Sequence, residues 1–153
     1  MTLRAVVTGV GHYLPERVVP NAEFEKTLDT SDEWIRARSG IENRHFAGEG
    51  DSTSSMAVAA ATAALADAGC SAQDVDAIIV ATSTADLTFP SSATMVQAGL
   101  GMTSGFAFDV QAVCAGFVYA LANANALIAS GQAKRVLVIG SETFSRIMDW
   151  TDR

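Results

Sequence analysis

Residues 105–131 read GFAFDVQAVCAGFVYALANANALIASG, and this stretch sets the fold class. Phe106 to Val110 is a short apolar run with strand character, and from Ala115 the chain turns to a long helix-forming run closed by Gly131. A strand feeding directly into a helix is the elementary step of an α/β fold. Cys114 stands at the join. Its side chain is expected near the first helical N–H groups, which lack partners and sit at the positive end of the helix dipole. Both effects favour the thiolate, the nucleophilic form. In open α/β sheets ligands bind beyond the carboxyl ends of the strands, where Cys114 would lie. Ala115 and Gly116 leave room for a substrate to approach the backbone. The competing reading is a small buried thiol.

The same alternation extends both ways. AIIVATST (77–84) is a continuous apolar strand, expected to be covered on both faces. KRVLVIGSE (134–142) is another, rich in β-branched residues. STSSMAVAAATAALADAG (52–69) reads as a helix with a serine-rich start and a Gly69 stop, and FPSSATMVQAGLG (89–101) as a helix with Pro90 near its start. LRAVVTGVGHYLP (3–15) reads as a valine-rich strand ended by Gly11 and Pro15, with Asn21 a possible N-cap after it. TSDEWIRARSG (30–40) reads as a short helix: Thr30 and Glu33 have capping-box spacing, and Gly40 lies where the helix should stop. IENRHFAGEGDS (41–52) reads as a polar loop, and TFSRIMDWTDR (143–153) shows no clear element. Strands alternating with helices predict a mainly parallel sheet with covering helices.

Composition narrows the function classes. The 153 residues are about one ordinary domain, 49% hydrophobic and 18% charged, which argues against disorder. A net charge of −7 disfavours a nucleic-acid partner. Arg36, Arg38 and Arg44 form a local basic cluster, whose ordinary reading is a solvated face. The apolar stretches fall short of the roughly 20 residues of a membrane helix. Cys70 and Cys114 make neither zinc spacing nor a C-x-x-C pair, so no metal site is expected, and Cys70 reads as incidental. Together these predict a soluble cytoplasmic protein. Gly9 and Gly11 begin a dinucleotide fingerprint that Leu14 breaks, and a P-loop and a G-x-S-x-G elbow are absent. His12 and His45 read as structural or surface residues.

Several stretches together resemble a known family. FDVQAVCAGFVYAL (108–121) looks like the nucleophile segment of the β-ketoacyl-acyl-carrier-protein synthase III family, of the thiolase superfamily. TSDEWIRARSGIENRH (30–45) resembles that family's coenzyme A-binding segment, and GHYLPE (11–16), VATSTADLTFPSSA (80–93) and DWTDR (149–153) also match. The resemblance runs in order along essentially the whole chain. It implies a thiolase-like fold of which residues 1–153 are the N-terminal βαβαβα(ββ) half, the C-terminal half being absent. It implies a decarboxylating Claisen condensation in type II fatty acid synthesis. Cys114 takes the acyl group of a short acyl-CoA such as acetyl-CoA, and malonyl-acyl carrier protein supplies the attacking carbanion. The backbone N–H of Cys114 is implied as an oxyanion donor.

Coenzyme A enters as substrate thioester, with no separate cofactor. Trp34 and Arg153 are implied to sandwich its adenine, with Arg38 and Thr30 at the nucleotide end. The capping-box place of Thr30 is a competing explanation. Phe89, otherwise ordinary core, resembles the residue that crosses a homodimer interface to close the partner's acyl pocket, which Met95 also shapes. The family's catalytic histidine and asparagine lie in the half not present here, and neither His12 nor His45 aligns with them. The 153 residues alone are therefore expected not to condense. Relatives handling long acyl chains, polyketides or quinolones are the alternative chemistries.

Overall fold

The computed structural model describes residues 4–152. In chain order its elements are β1 (Arg17–Pro20), α1 (Asn21–Phe24), α2 (Asp32–Ser39), β2 (Asn43–Phe46), α3 (Thr53–Asp67), β3 (Ala77–Ala81), α4 (Ser92–Gly99), β4 (Phe106–Val110), α5 (Gly116–Ala129) and β5 (Val136–Gly140). They fall into two compact units. A sheet unit comprises the chain up to Tyr13 with Ser52–Glu142, and a smaller unit comprises Leu14–Asp51 with the segment from Thr143.

In the sheet unit β3 lies between β4 and β5, parallel to both, with Ala77 opposite Phe106 and Val136. All five residues of β3 are buried, as its unbroken apolar run predicted. The side chains alternate with the period of a strand. Ile78 and Val80 join Ala57, Ala61, Ala93 and Val96 of α3 and α4, while Ile79 and Ala81 meet Ala120 and Ala124 of α5 on the other face. Alanine is the common helix contact, so helix and sheet backbones approach closely. Gly116 lies against Ala81: a Cβ built there would stand 3.2 Å from the Ala81 Cβ. α5 presents one small-residue stripe to the sheet and leaves Phe117, Val118, Tyr119 and Leu121 exposed.

Three acidic side chains set the loops of this unit. Asp86 accepts from the N–H groups of Thr53 and Ser54 at 2.8 and 2.9 Å, filling the start of α3. Asp109 does the same for α4, accepting from Ser92 and Ala93 at 2.8 and 2.7 Å. A carboxylate there meets unpaired donors and the positive dipole end. Asp76 joins the strand entrances: its Oδ2 accepts from the N–H of Lys134 at 2.6 Å and of Arg135 at 2.9 Å. Those bonds, Arg135 foremost and then Lys134, hold its carboxyl below the ordinary aspartate value. The folded state therefore prefers the carboxylate. This stabilisation is complete above the ordinary value and is lost as pH falls through the lower folded one. Asp76→Asn is expected to lower stability at neutral pH by less than about 1 kcal/mol, the group being solvent-screened. The difference from wild type should vanish below the aspartate range, which urea titrations across pH would show.

Residues 4–14 carry no strand, contrary to the valine-rich reading. No described strand pairs with them, and a strand without a ladder has no partner for its backbone. Val6, Val7 and Val10 are at least 70% exposed. The segment is held instead by close backbone packing. Cβ atoms built at Gly9 or Gly11 would collide with the backbone of α3 around Ala60, Ala64 and Ala68. The two glycines thus serve helix contact rather than a phosphate loop. Val10 N–H also donates to Asp67 at 2.9 Å.

In the smaller unit β1 and β2 pair antiparallel, Arg17 opposite Phe46. Residues 43–46 were expected within a loop. Phe46 makes them a strand by packing in an aromatic cluster with Phe24 and Trp150, ring centroids 4.6–6.3 Å apart. Trp150 and the turn Phe144–Arg146 are the structured features of a tail that read as featureless. Two capping expectations change. The N-cap of α2 is Ser31, not Thr30: its backbone is extended and its Oγ accepts from Trp34 N–H at 3.1 Å. With Ser31 as cap, Glu33 is not the third helical residue, so no capping box forms. Pro20, not Asn21, occupies the cap of α1. Gly40 closes α2 at φ 71° as expected.

Candidate active site

Cys114 sits just beyond the carboxyl end of β4, in a single 3-10 turn, Val113–Ala115, that leads into α5. Its thiol is exposed. The helix proper begins at Gly116, and the cysteine belongs to the turn before it rather than to the first helical turn. Val113, immediately before it, has φ 47°. A β-branched residue in that region is a genuine outlier whose strain must be held by its surroundings. Gly116 supplies part of that hold by seating the start of α5 on Ala81.

The neighbouring loop after β3 is similarly fixed. Glu142, just past β5, accepts from Ser83 N–H at 2.8 Å and from the Thr84 hydroxyl at 2.5 Å. Thr53 Oγ1 donates to Thr84 O, also at 2.5 Å, and Ser141 Oγ donates to Thr53 O at 2.8 Å. The loop continues through Asp86 to Phe89, which precedes a cis proline and is 81% exposed. Phe89 is thus not core. Met95 lies half-buried in α4.

The remaining candidates belong to the smaller unit. Trp34 and Arg38 are one helical turn apart on α2, and the guanidinium carbon of Arg38 lies 4.2 Å from the centre of the Trp34 ring. Trp34 is 39% exposed. Thr30 is half-buried, and the Ser31 cap leaves its hydroxyl unclaimed by helix capping. Arg153 lies outside the described residues.

The basic cluster is not one patch. Arg36 pairs with Glu42 at 2.9 Å, Arg38 stacks on Trp34, and Arg44 bonds Asn21 at 2.7 Å over the Phe24 ring. His45 Nδ1 lies 2.6 Å from Pro15 O, so it carries the proton and serves the structure; His12 is exposed. Cys70 Sγ sits 3.5 Å from Ala68 O in the turn after α3. Among the described residues no group of three or more His, Cys, Asp or Glu side chains could hold a metal ion, and no helix is long and apolar enough to cross a membrane.

Comparison with known proteins points to one family. Residues 108–153, which contain the Cys114 turn, match the sequence profile of 3-oxoacyl-[acyl-carrier-protein] synthase III. A β-ketoacyl-[acyl-carrier-protein] synthase III of Roseobacter denitrificans is 84% identical over all 153 residues. Over its whole length the chain matches the N-terminal half of proteins of this family.

It covers 47% of the Roseobacter protein and so spans about half the length of the curated relatives it matches. The crystal structure of the synthase III of Aquifex aeolicus superposes with a TM-score of 0.91 at 49% identity, over 95% of this chain and 47% of that one. A priming β-ketosynthase from the R1128 polyketide biosynthetic pathway superposes at 0.90 with 33% identity, over 100% of this chain and 46% of that one. The fold is the thiolase-like α/β arrangement of the family.

Sequence reasoning passed over Val113, Glu142 and Asp109. Asp109 left a signal, being the single charge inside the apolar strand FAFDV. The positive φ of Val113 left none, because valine is the residue least expected there.

Proposed function

We propose that this chain is the nucleophile-bearing half of a β-ketoacyl-[acyl-carrier-protein] synthase III, and that Cys114 accepts an acyl group from a short acyl-coenzyme A. The observation that carries this reading is the exposed thiol of Cys114 on a strained turn between β4 and α5, inside the segment that matches the family profile. The Cys114 thiolate attacks the thioester carbonyl. The carbon–sulfur bond to coenzyme A breaks, the coenzyme A thiolate departs, and an acyl-cysteine thioester remains. The tetrahedral oxyanion on the way needs fixed N–H donors, and the Cys114 N–H is the donor this half would supply. In the complete reaction malonyl-acyl carrier protein loses carbon dioxide. The resulting carbanion attacks the acyl-cysteine carbonyl, releasing the Cys114 thiolate and leaving the ketoacyl product on the carrier.

Trp34 and Arg38 support a place for the nucleotide of coenzyme A. Their stack is a rigid π and cationic surface of the kind that binds an aromatic base and its phosphates. Thr30 and Arg153 complete this reading. Phe89, exposed at the tip of its loop, serves a homodimer contact that closes the partner's acyl pocket. Resemblance to the R1128 priming ketosynthase favours a second reading of the acyl group alone, in which the primer is longer or belongs to polyketide synthesis.

The test is mass spectrometry of the chain after incubation with acetyl-coenzyme A and longer acyl-coenzyme A donors. One acyl group per chain on the peptide containing Cys114 is the expected result, and no adduct with any donor would defeat the proposal. Trp34→Ala is expected to weaken binding of coenzyme A itself about tenfold, the worth of one base–aromatic stack. Calorimetry would show this, and unchanged affinity would remove Trp34 from the site.

A further inference from the structure

Asn21 is 1% exposed, yet its side chain is polar and fully engaged. Its Nδ2 donates to Asp32 Oδ1 at 2.9 Å and to Ile41 O at 2.7 Å. Its Oδ1 accepts from Arg44 at 2.7 Å, and its backbone N–H donates to Glu42 O at 3.2 Å. The two amide donors face acceptors and the amide oxygen faces a guanidinium, so the orientation of the group follows from its partners.

The partners have a pattern. Asp32 is the first residue of α2, and Ile41 follows Gly40, the residue that ends it. One buried amide thus ties both ends of the helix that carries Trp34 and Arg38. That helix needs the tie. It is eight residues long and buries only Ile35. An isolated helix of that length is marginal in water. Arg44 locks the third side, spanning from Asn21 Oδ1 to the face of Phe24 in the aromatic cluster.

We infer that Asn21 is a positioning residue for nucleotide recognition, fixing α2 so that the Trp34–Arg38 stack stays formed for coenzyme A. This rests on the reading of Trp34 and Arg38 given above. Asn21 touches no substrate; it acts through the helix.

The test uses the whole chain with coenzyme A alone as probe, and four variants. Asn21→Ala removes the tie. It also strands Arg44 and Ile41 O, which would unsettle the fold, so Asp32→Ala serves as the second variant. That change leaves Asn21, Ile41 and Arg44 in place; it removes the acceptor at the helix start and also the 3.7 Å ion pair of Asp32 with Arg36, a pair that Asp32→Asn lacks as well, so the comparison of the two variants isolates the tie. Asp32→Asn restores an acceptor oxygen without the charge, and Trp34→Ala reports on the nucleotide reading.

The expected result is amide hydrogen exchange over residues 34–39 about tenfold faster in Asp32→Ala and near wild type in Asp32→Asn, with coenzyme A affinity falling and recovering in parallel. The rate of Cys114 alkylation by iodoacetamide should stay constant throughout. Unchanged exchange in Asp32→Ala, or an equal rise in Asp32→Asn, overturns the tie. Faster exchange with coenzyme A affinity unchanged overturns the role in recognition. If Trp34→Ala binds coenzyme A as wild type does, the nucleotide reading fails, and the exchange data separately uphold or overturn the tie.

Discussion

Replacing Cys114 by serine should abolish the acyl adduct proposed to form from acetyl-coenzyme A on the unaltered chain. The sulfur is the only atom of that side chain able to displace coenzyme A, and a hydroxyl without an activating base is a far weaker nucleophile. The rate of adduct formation should fall by more than about a thousandfold. Folding should be unaffected, because Cys114 is exposed and serine is close in size. Cys70→Ser is the matched control. Cys70 is held in a turn by its backbone, with N–H donating to Leu65 O at 3.0 Å, and its replacement should leave the adduct intact. Time-resolved mass spectrometry of the two variants checks this. An adduct persisting in Cys114→Ser, or lost in Cys70→Ser, would sink the assignment. The same experiment with malonyl-acyl carrier protein added should yield acylated chain but no ketoacyl product. His45 is committed to Pro15 and His12 is exposed to solvent, so neither is placed as a decarboxylating histidine.

The sheet unit was legible because its signals are local. β3 announces itself as five consecutive apolar residues, and α3 as a serine-rich cap followed by alanines. Patterns of this kind reflect burial on two faces and on one face, respectively. What escaped depends on contacts distant in sequence. β2 is NRHF, polar by composition, and becomes a strand through Phe46 against Phe24 and Trp150. The Asn21 tie joins residues 11 to 23 positions apart, and from sequence Asn21 looked like an ordinary cap. The valine-rich stretch departs in the opposite sense: β-propensity is present, but over the described residues 4–14 no neighbouring described strand completes a ladder. For Cys114, the strand-to-helix join placed the thiol, and the strain at Val113 appeared only with the backbone.

The largest loss of stability from a single truncation should come at Ile79. It is fully buried at the centre of the middle strand, level with Phe108 and Val138 on the flanking strands. The buried residues that share its face, Ala81, Ala120 and Ala124, are all small, and Phe108, Leu127, Val136 and Val138 pack around them partly buried, so Ile79 is the largest fully buried side chain between sheet and α5. Alanine side chains have no rotamers with which to fill a void. Beyond what Leu127 and the flanking-strand side chains can fill, relaxation would require α5 to move as a body, against the Gly116–Ala81 contact that already brings the two backbones together. Ile79→Ala should therefore fall in the upper part of the range for such changes, about 4 kcal/mol, and Ile79→Val near 1 kcal/mol. Against the 5–15 kcal/mol of an ordinary domain, at roughly that order, the alanine variant approaches the threshold of folding. Val118→Ala, at a site 62% exposed on the same helix, should cost less than about 0.5 kcal/mol. Urea titrations would show the midpoint falling for Ile79→Ala with its slope retained. A cost below about 1 kcal/mol would mean that α5 is not held on the sheet as described. Because the turn bearing Cys114 is anchored through this packing, the acyl adduct should fall in proportion to the unfolded fraction. Folded Ile79→Val should acylate at the wild-type rate, which separates the scaffold's contribution from that of the nucleophile.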